Sequence, residues 1–169
     1  MARLTDVPAI EIPLITRFAA LGIPYEVVRH RPVSTVEEAR MVRGDLGACH
    51  VKNLFVRDKK GDMWLVTAER DRAVDLKALR GAIGAQGAIS FASHERLRKF
   101  LAVEPGSVTP LAAMNDTLGR VSVVLDAGIA RHARVAVHPL HNEATVTLAV
   151  ADLERFLLDT GHAVLWLAV

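Results

Sequence analysis

Three polar residues, His50, Lys52 and Asn53, crowd the mouth of an apolar run in the stretch HVKNLFVRD. Lys52 brings a cation that can meet a phosphate or a ribose. Asn53 brings an amide with two donors and an acceptor. Taken alone, Lys52 is a solvated strand end. Cys49 stands beside His50, but adjacent strand positions point to opposite faces, so the two are poorly placed as nucleophile and base. Further on, His138 and His141 form HPLH, followed by Asn142. An HxxH pair binds metal only with a third ligand, for which His132 or His30 would have to approach, and Pro139 interrupts any helix there. The better reading is a histidine-rich loop beside a polar cleft, with imidazoles and the Asn142 amide hydrogen-bonding a ligand; no metal is expected. The run GSVTP, from Gly106 to Pro110, joins a glycine that lets backbone amides approach a ligand to a proline that stiffens the loop. On its own it is a turn. No P-loop, GxGxxG, GxSxG or HExxH occurs.

The elements that carry these residues follow from periodicity and punctuation. Ala9 to Leu21 reads as a helix with apolar positions at Ile10, Leu14, Phe18 and Leu21, stopped by Gly22 and Pro24. Tyr25 to Arg29 is a short strand. Ser34 and Glu37 form a capping box for a helix from Thr35 to about Arg40. Val51 to Arg57 and Met63 to Ala68 are strands joined by DKKGD, with Gly61 supplying a positive φ. Asp75 caps a helix through Arg80, and Ser93 caps one to about Leu101. Ile89 to Phe91, Val121 to Leu125, Val135 to Val137, Thr145 to Ala149 and Ala163 to Leu167 are extended. Residues 104 to 110 are a loop, and Asp152 to Thr160 is a helix. The irregular mixture, without a strict β-α-β rhythm, predicts an α+β fold with a mixed sheet.

The chain has 169 residues, 51% hydrophobic and 24% charged. This is the balance of one soluble globular domain that buries a core without disulfides. A single cysteine favours the cytoplasm. The segment MARLTDVPAIEIPL lacks a long apolar stretch after a basic start, so no signal peptide is expected, and no run is long enough to span a bilayer. A net charge of +2 does not by itself establish nucleic-acid binding. Basic residues nevertheless gather between Arg29 and Lys60, and the C-terminal part leans acidic. Such a cluster meets phosphates or forms a solvated surface.

Three stretches in order along the chain carry a resemblance: KNLFVRDKKG, the GxxxP loop at Gly106 and Pro110, and HPLHN. Together they resemble the YbaK/prolyl-tRNA-synthetase-associated editing-domain family, from about Gly22 to the C-terminus. Within it, the free-standing alanyl-tRNA(Pro) deacylase branch is the most similar. The resemblance implies one domain with a mixed, curved β-sheet flanked by helices, spanning 22–169, with 1–21 a helical segment packed on it. It implies an enzyme that hydrolyses the ester of mischarged alanyl-tRNA(Pro), because a synthetase site built for proline cannot strongly exclude the smaller alanine. The family's lysine maps onto Lys52, with Asn53 beside it and Gly106 completing the catalytic set. Ser107, Val108, Thr109 and Pro110 of the loop, with His138, His141 and Asn142, are the substrate-binding candidates. Arg40, Arg43, Lys59 and Lys60 are the tRNA-binding candidates. With no triad visible, direct attack by water, helped by the substrate's own ribose hydroxyl, is the expected chemistry. The implied partners are the acceptor end of tRNA(Pro) and, transiently, prolyl-tRNA synthetase; no cofactor, membrane or DNA is implied. The rivals are a cysteinyl- or seryl-tRNA deacylase of the same family, a non-catalytic nucleic-acid-binding module, and a domain that docks on a synthetase. An aromatic content of 5% gives little material for base stacking.

Overall fold

The computed structural model describes residues 6–33, 35–44 and 46–169, the side chains of Val36, Val42 and Arg43 excepted. After a 3-10 turn at Ala9–Glu11, helix α1 (Ile12–Leu21) starts on Pro13 and ends at Gly22, whose φ of +63° makes a left-handed cap. Strand β1 (Tyr25–Arg29) leads to helix α2 (Val36–Arg43). The Thr35 hydroxyl caps α2 by accepting from Glu38 N at 3.0 Å. The expected cap, Ser34, lies outside the described residues. The helix runs three residues past the expected Arg40, because Gly44 is the first position to leave helical geometry.

Strands β2 (Cys49–Arg57) and β3 (Met63–Glu69) form the expected hairpin, with Gly61 at φ +91°. Asp58 organises the turn by accepting from Lys60 N, Asp62 N and Gln86 N at 2.8–3.0 Å. Helix α3 (Leu76–Ile83) is capped by Asp75, and two-residue β4 (Ser90–Phe91) follows. Ser93 caps α4 (His94–Arg96), which widens into a π-helical stretch at Leu97–Leu101. Strand β5 (Val121–Asp126), β6 (Arg134–Val137), β7 (Ala144–Ala149), helix α5 (Val150–Asp159) and β8 (Val164–Leu167) complete the chain. Helix α5 begins two residues earlier than its sequence suggests. Its first amide, Val150 N, is satisfied by Ala133 O at 3.0 Å rather than by a side-chain cap. Two 3-10 helices, Pro110–Asn115 and Ala127–Arg131, occupy segments where periodicity predicts nothing.

The strands make one mixed eight-stranded sheet in the order β1-β7-β6-β2-β3-β5-β8, with β4 also on β2. The pairs β2·β6, β3·β5 and β5·β8 are parallel, and β1·β7, β7·β6, β2·β3 and β2·β4 are antiparallel. Strand β3 is buried along six consecutive residues, since both of its faces are covered. On one face lies the main core, where Leu14 and Phe18 of α1 meet Leu153, Phe156 and Leu157 of α5 over Leu65, Val123 and Leu125. On the other, α3 buries Leu79 against Val56, Trp64, Val66 and Val124. Among the described residues, no helix is long and apolar enough to cross a membrane.

Candidate functional site

The main chain of β2 fixes where Lys52 and Asn53 point. Arg70 N donates to His50 O at 2.9 Å, so His50 and Arg70 are a hydrogen-bonded pair. Antiparallel alternation then directs the main-chain groups of Lys52, Leu54 and Val56 toward β3, and those of Val51, Asn53 and Phe55 toward the opposite edge. That edge is shared by two strands. β6 takes Cys49 and His50; β4 takes Val56 and Arg57, and Ala92 N bonds Phe55 O at 2.8 Å. Among the described residues no strand stands opposite Val51 and Asn53. The ladder is interrupted at the position the sequence singles out.

The side chains divide the same way. Val51 and Phe55 face the main core, which also takes Val108 and Leu111 from the Gly106–Pro110 region. Leu54 and Val56 face the second core. Asn53 therefore lies on the loop's side of the strand and Lys52 on the other. The expectation that they sit side by side is corrected here, because neighbours on an extended chain cannot share a face. Asn53 Oδ1 accepts from Thr67 Oγ1 at 2.7 Å, which turns its amide NH2 away from Thr67. The Lys52 ammonium donates to the Arg72 carbonyl.

That contact leads to a cleft of about 770 Å³, lined by Arg40, His50, Glu69, Arg70, Asp71, Arg72 and His132 with Cys49 among them. Its guanidinium groups are partly paired, Arg40 with Asp71 at 3.2 Å and Arg72 with the buried Asp126 at 3.3 Å, and His132 Nε2 lies 2.8 Å from Glu69 Oε1. The ends of the Glu69 and Arg72 side chains pack closely over Gly128, where a Cβ would stand 3.0 Å from Glu69 Cδ and 3.1 Å from Arg72 Nη1. Arg40 belongs to this cleft. Lys59 and Lys60 sit at the hairpin turn, the other end of β2, roughly 25 Å away at about 3.4 Å per residue. The four basic candidates are therefore not one patch, and the Arg43 side chain lies outside the described residues. Sequence reasoning missed Arg70 and Arg72, whose alternation in ERDR was the available signal.

Cys49, Glu69 and His132 are the one group of described residues with metal-ligating atoms close together, all within 4.8 Å of one another. The HPLH histidines do not join them. Burial, then the charges of Glu69 and Asp126, push the Cys49 thiol up to about 11 against the pull of Arg70. It is protonated at neutral pH, a weak ligand and a weak nucleophile. Another triad-like set, Thr160, His162 and Asp116, is structural. Thr160 Oγ1 is spent on Leu157 O at 2.6 Å, and buried Asp116 holds Arg120 N and Val121 N besides His162.

The second hollow, about 480 Å³, takes three of the loop candidates and not Gly106, Val108, Thr109, Pro110 or His138. Ser107, Leu140, His141 and Asn142 line it with Val103, and Pro8 and Ile10 reach in from the N-terminal segment. Gly106 has φ +85°, and a Cβ there would lie 3.9 Å from Asn142 Nδ2, so the two loops face each other. Ser107 N bonds Glu104 O at 3.0 Å; the buried Thr109 hydroxyl caps Leu111 N, and Pro110 opens the 3-10 helix. His138 Nδ1 lies 3.4 Å from Ala144 O. His141 is held on both sides: Nδ1 accepts from Glu143 N at 3.1 Å, and Nε2 lies 2.5 Å from Glu11 Oε1. Its expected role as a ligand donor is corrected, since both ring nitrogens are engaged within the protein. Glu11, 1% exposed, also pairs both carboxylate oxygens with Arg29. Burial pushes its pKa up, but the hydrogen bonds from Arg29 and His141 outweigh this and hold it below the ordinary value. A carboxylate inside the apolar run AIEIPLI was the only sequence sign of it.

Residues 30–156 match the model of the aminoacyl-tRNA editing domain. The prolyl-tRNA editing protein ProX of Acetoanaerobium sticklandii is 40% identical over 150 residues, covering 88% of this chain and 91% of that protein. Prolyl-tRNA synthetase associated domain-containing protein 1 of Bos taurus is 41% identical over 150 residues, covering 86% and 87%. A solved candidate trans-editing enzyme for prolyl tRNA synthetase superposes with a TM-score of 0.74 at 19% identity, covering 97% of this chain and 99% of that one. The hypothetical protein APE2540 gives 0.72 at 19%, covering 90% and 97%. At such identity these two speak to the fold alone.

Proposed function

The chain belongs to the aminoacyl-tRNA editing-domain family, and from that membership we propose that this editing hydrolase clears alanine from mischarged tRNA(Pro). Relatives about 40% identical carry prolyl-tRNA editing or prolyl-tRNA synthetase in their names, which supports tRNA(Pro) as the substrate's nucleic-acid part. Alanine is the acyl group that a proline-sized activation site cannot keep out, since missing methylenes forfeit only about 1–3 kcal/mol.

The observation that carries the reading is the interrupted ladder of β2, with Lys52 leaving one face of the strand and Asn53 the other. A terminal aminoacyl-adenosine straddles such an edge. Its phosphate and ribose lie toward the Lys52 ammonium and the arginine cleft, where Arg40, Arg70 and Arg72 add positive potential. Its ester lies toward Asn53 and the Gly106–Pro110 loop, whose amides polarise the carbonyl as charge develops on oxygen. His138 and Asn142 complete the acyl side. The single-stranded acceptor end is the part of a tRNA that presents its ribose hydroxyls and phosphates this openly. No protein nucleophile is needed. An aminoacyl ester is labile, and a positioned water assisted by the vicinal ribose hydroxyl suffices.

The test is deacylation of tRNA(Pro) carrying alanine, cysteine, serine or proline, in parallel reactions. Alanine should be released fastest and proline spared. Absence of hydrolysis, or equal rates for all four, overturns the reading. A substrate lacking the vicinal hydroxyl should react far more slowly; an undiminished rate removes the proposed ribose assistance.

A further inference from the structure

We propose that Glu11 is a positioning residue: through His141 it fixes the loop wall facing Gly106 and Ser107, and so sets the discrimination between alanine and proline. The proposal rests on the editing reading above. It starts from a buried charge that the chemistry does not use. Glu11 comes from the 3-10 turn before α1, is 1% exposed, and joins three separate parts of the chain. Its two oxygens meet the Arg29 guanidinium at the end of β1, and Oε1 also meets His141 Nε2 at 2.5 Å.

The consequence for the wall follows from the ring. Glu143 N donates to His141 Nδ1, so the imidazole proton is on Nε2 and is directed at Glu11. With both nitrogens engaged, the ring cannot rotate without losing two hydrogen bonds. The residue before it, Leu140, is held at φ +72°, a conformation a branched side chain rarely takes, with its side chain buried in the main core. The residue after it, Asn142, places Nδ2 3.9 Å from the Cβ position of Gly106. A strained loop of this kind persists only where its surroundings over-determine it. Glu11 supplies that constraint from outside the loop, while Pro8 and Ile10 of the same segment line the hollow directly. The N-terminal segment is thus part of the acyl-side wall. A relaxed wall admits the wider pyrrolidine ring.

A clamp that served stability alone would lower the melting temperature and leave selectivity alone, so the assay reads both. Full-length wild type, Glu11→Gln, Glu11→Ala and His141→Ala are compared for kcat/KM on alanyl-tRNA(Pro) and prolyl-tRNA(Pro), with thermal melts and the NMR signal of the His141 Nε2 proton. Glu11→Ala should lower the alanine-to-proline ratio about tenfold, with prolyl-tRNA(Pro) hydrolysis rising and the proton signal lost. Glu11→Gln keeps an acceptor for His141 and should retain most of the ratio. His141→Ala should reproduce the loss with the Glu11–Arg29 pair in place, and serves where Glu11→Ala does not fold. Folded variants that keep the wild-type ratio while only their melting temperature falls overturn the proposal. Inactive wild type overturns the editing reading instead, and is seen in the same experiment.

Discussion

Replacing Gly106 by alanine separates backbone conformation from space. The residue sits at φ +85°, and a Cβ would meet nothing closer than Asn142 Nδ2 at 3.9 Å, an ordinary contact. The cost is therefore conformational. A left-handed L-residue costs about 1–2 kcal/mol. Alanine also narrows the unfolded ensemble, which returns about 0.4–1 kcal/mol. The net loss is about 1 kcal/mol, a fall of roughly 2–4 °C in Tm for a chain of this length. If the loop relaxes its φ to escape the strain, an amide aimed at the ester carbonyl turns away, and losing one such donor costs about 10²–10³ in kcat. Gly61 is the matched control. It lies at φ +91° in the β2–β3 turn, with Arg96 Nη2 the nearest neighbour of its Cβ position, also at 3.9 Å. Gly61→Ala should show the same shift in Tm with normal deacylation of alanyl-tRNA(Pro). Comparable activity in the two variants would refute the role given to the loop's backbone.

Lys52→Ala should leave the fold intact, because among the described residues its ammonium bonds a main-chain carbonyl alone, while deacylation falls at least about a hundredfold. The slope of log affinity for tRNA against log salt should also flatten by about one unit; unchanged activity and slope would remove Lys52 from the site. The Gln86 amide, and then those of Asp62 and Lys60, hold the Asp58 pKa below the ordinary aspartate range against its burial. A depressed folded-state pKa contributes stability that is present above about pH 4 and lost as pH falls through the folded value. Melting temperatures of wild type should therefore drop in acid more steeply than those of Asp58→Asn, and parallel curves would contradict this. Cys49, pushed up to about 11, should alkylate far more slowly than a free thiol at pH 8 and accelerate as pH rises toward that value; fast labelling at pH 8 would show the thiol to be neither buried nor suppressed.

Local signals were the legible ones. Asp75 and Ser93 cap their helices as their positions suggest, Gly22 stops α1, and Gly61 turns the β2–β3 hairpin, because each needs only a few neighbouring residues. The cap of α2 shifted by one residue, since Ser34 and Thr35 each stand three residues before a glutamate and local spacing does not choose between them. The 3-10 helix at Pro110–Asn115 was illegible. Its short apolar run is buried from four sides and carries no periodicity. At the candidate site, the spatial grouping of the residues was not readable from their order in the chain. Lys52 and Asn53 are adjacent in sequence and separated by the pleat. Glu11 and His141 are 130 positions apart and touch. Arg72 finds its partner Asp126 across two strands.

On the proposed reading, that division of β2 leaves an editing site little need of strong acid–base machinery. The main-chain groups of Asn53 are directed between the stretch paired with β6 and the stretch paired with β4, where no strand among the described residues stands opposite it and a ligand can approach the edge. On the proposed reading, the guanidinium groups of Arg40 and Arg72, paired with Asp71 and Asp126, set the potential that meets the phosphate on one side of the gap. On the other, Thr67 fixes the Asn53 amide and Glu11 fixes the His141 loop, so the groups that would meet the ester are held before it arrives. Preorganised dipoles need no rearrangement as charge develops on the carbonyl oxygen, and that is the part of the barrier a labile ester leaves for a protein to remove. Selectivity then has to come from the rigidity of the acyl-side wall rather than from a reactive residue. The ratio of alanine to proline release, more than the absolute rate, is therefore the quantity that substitutions in this fold should move.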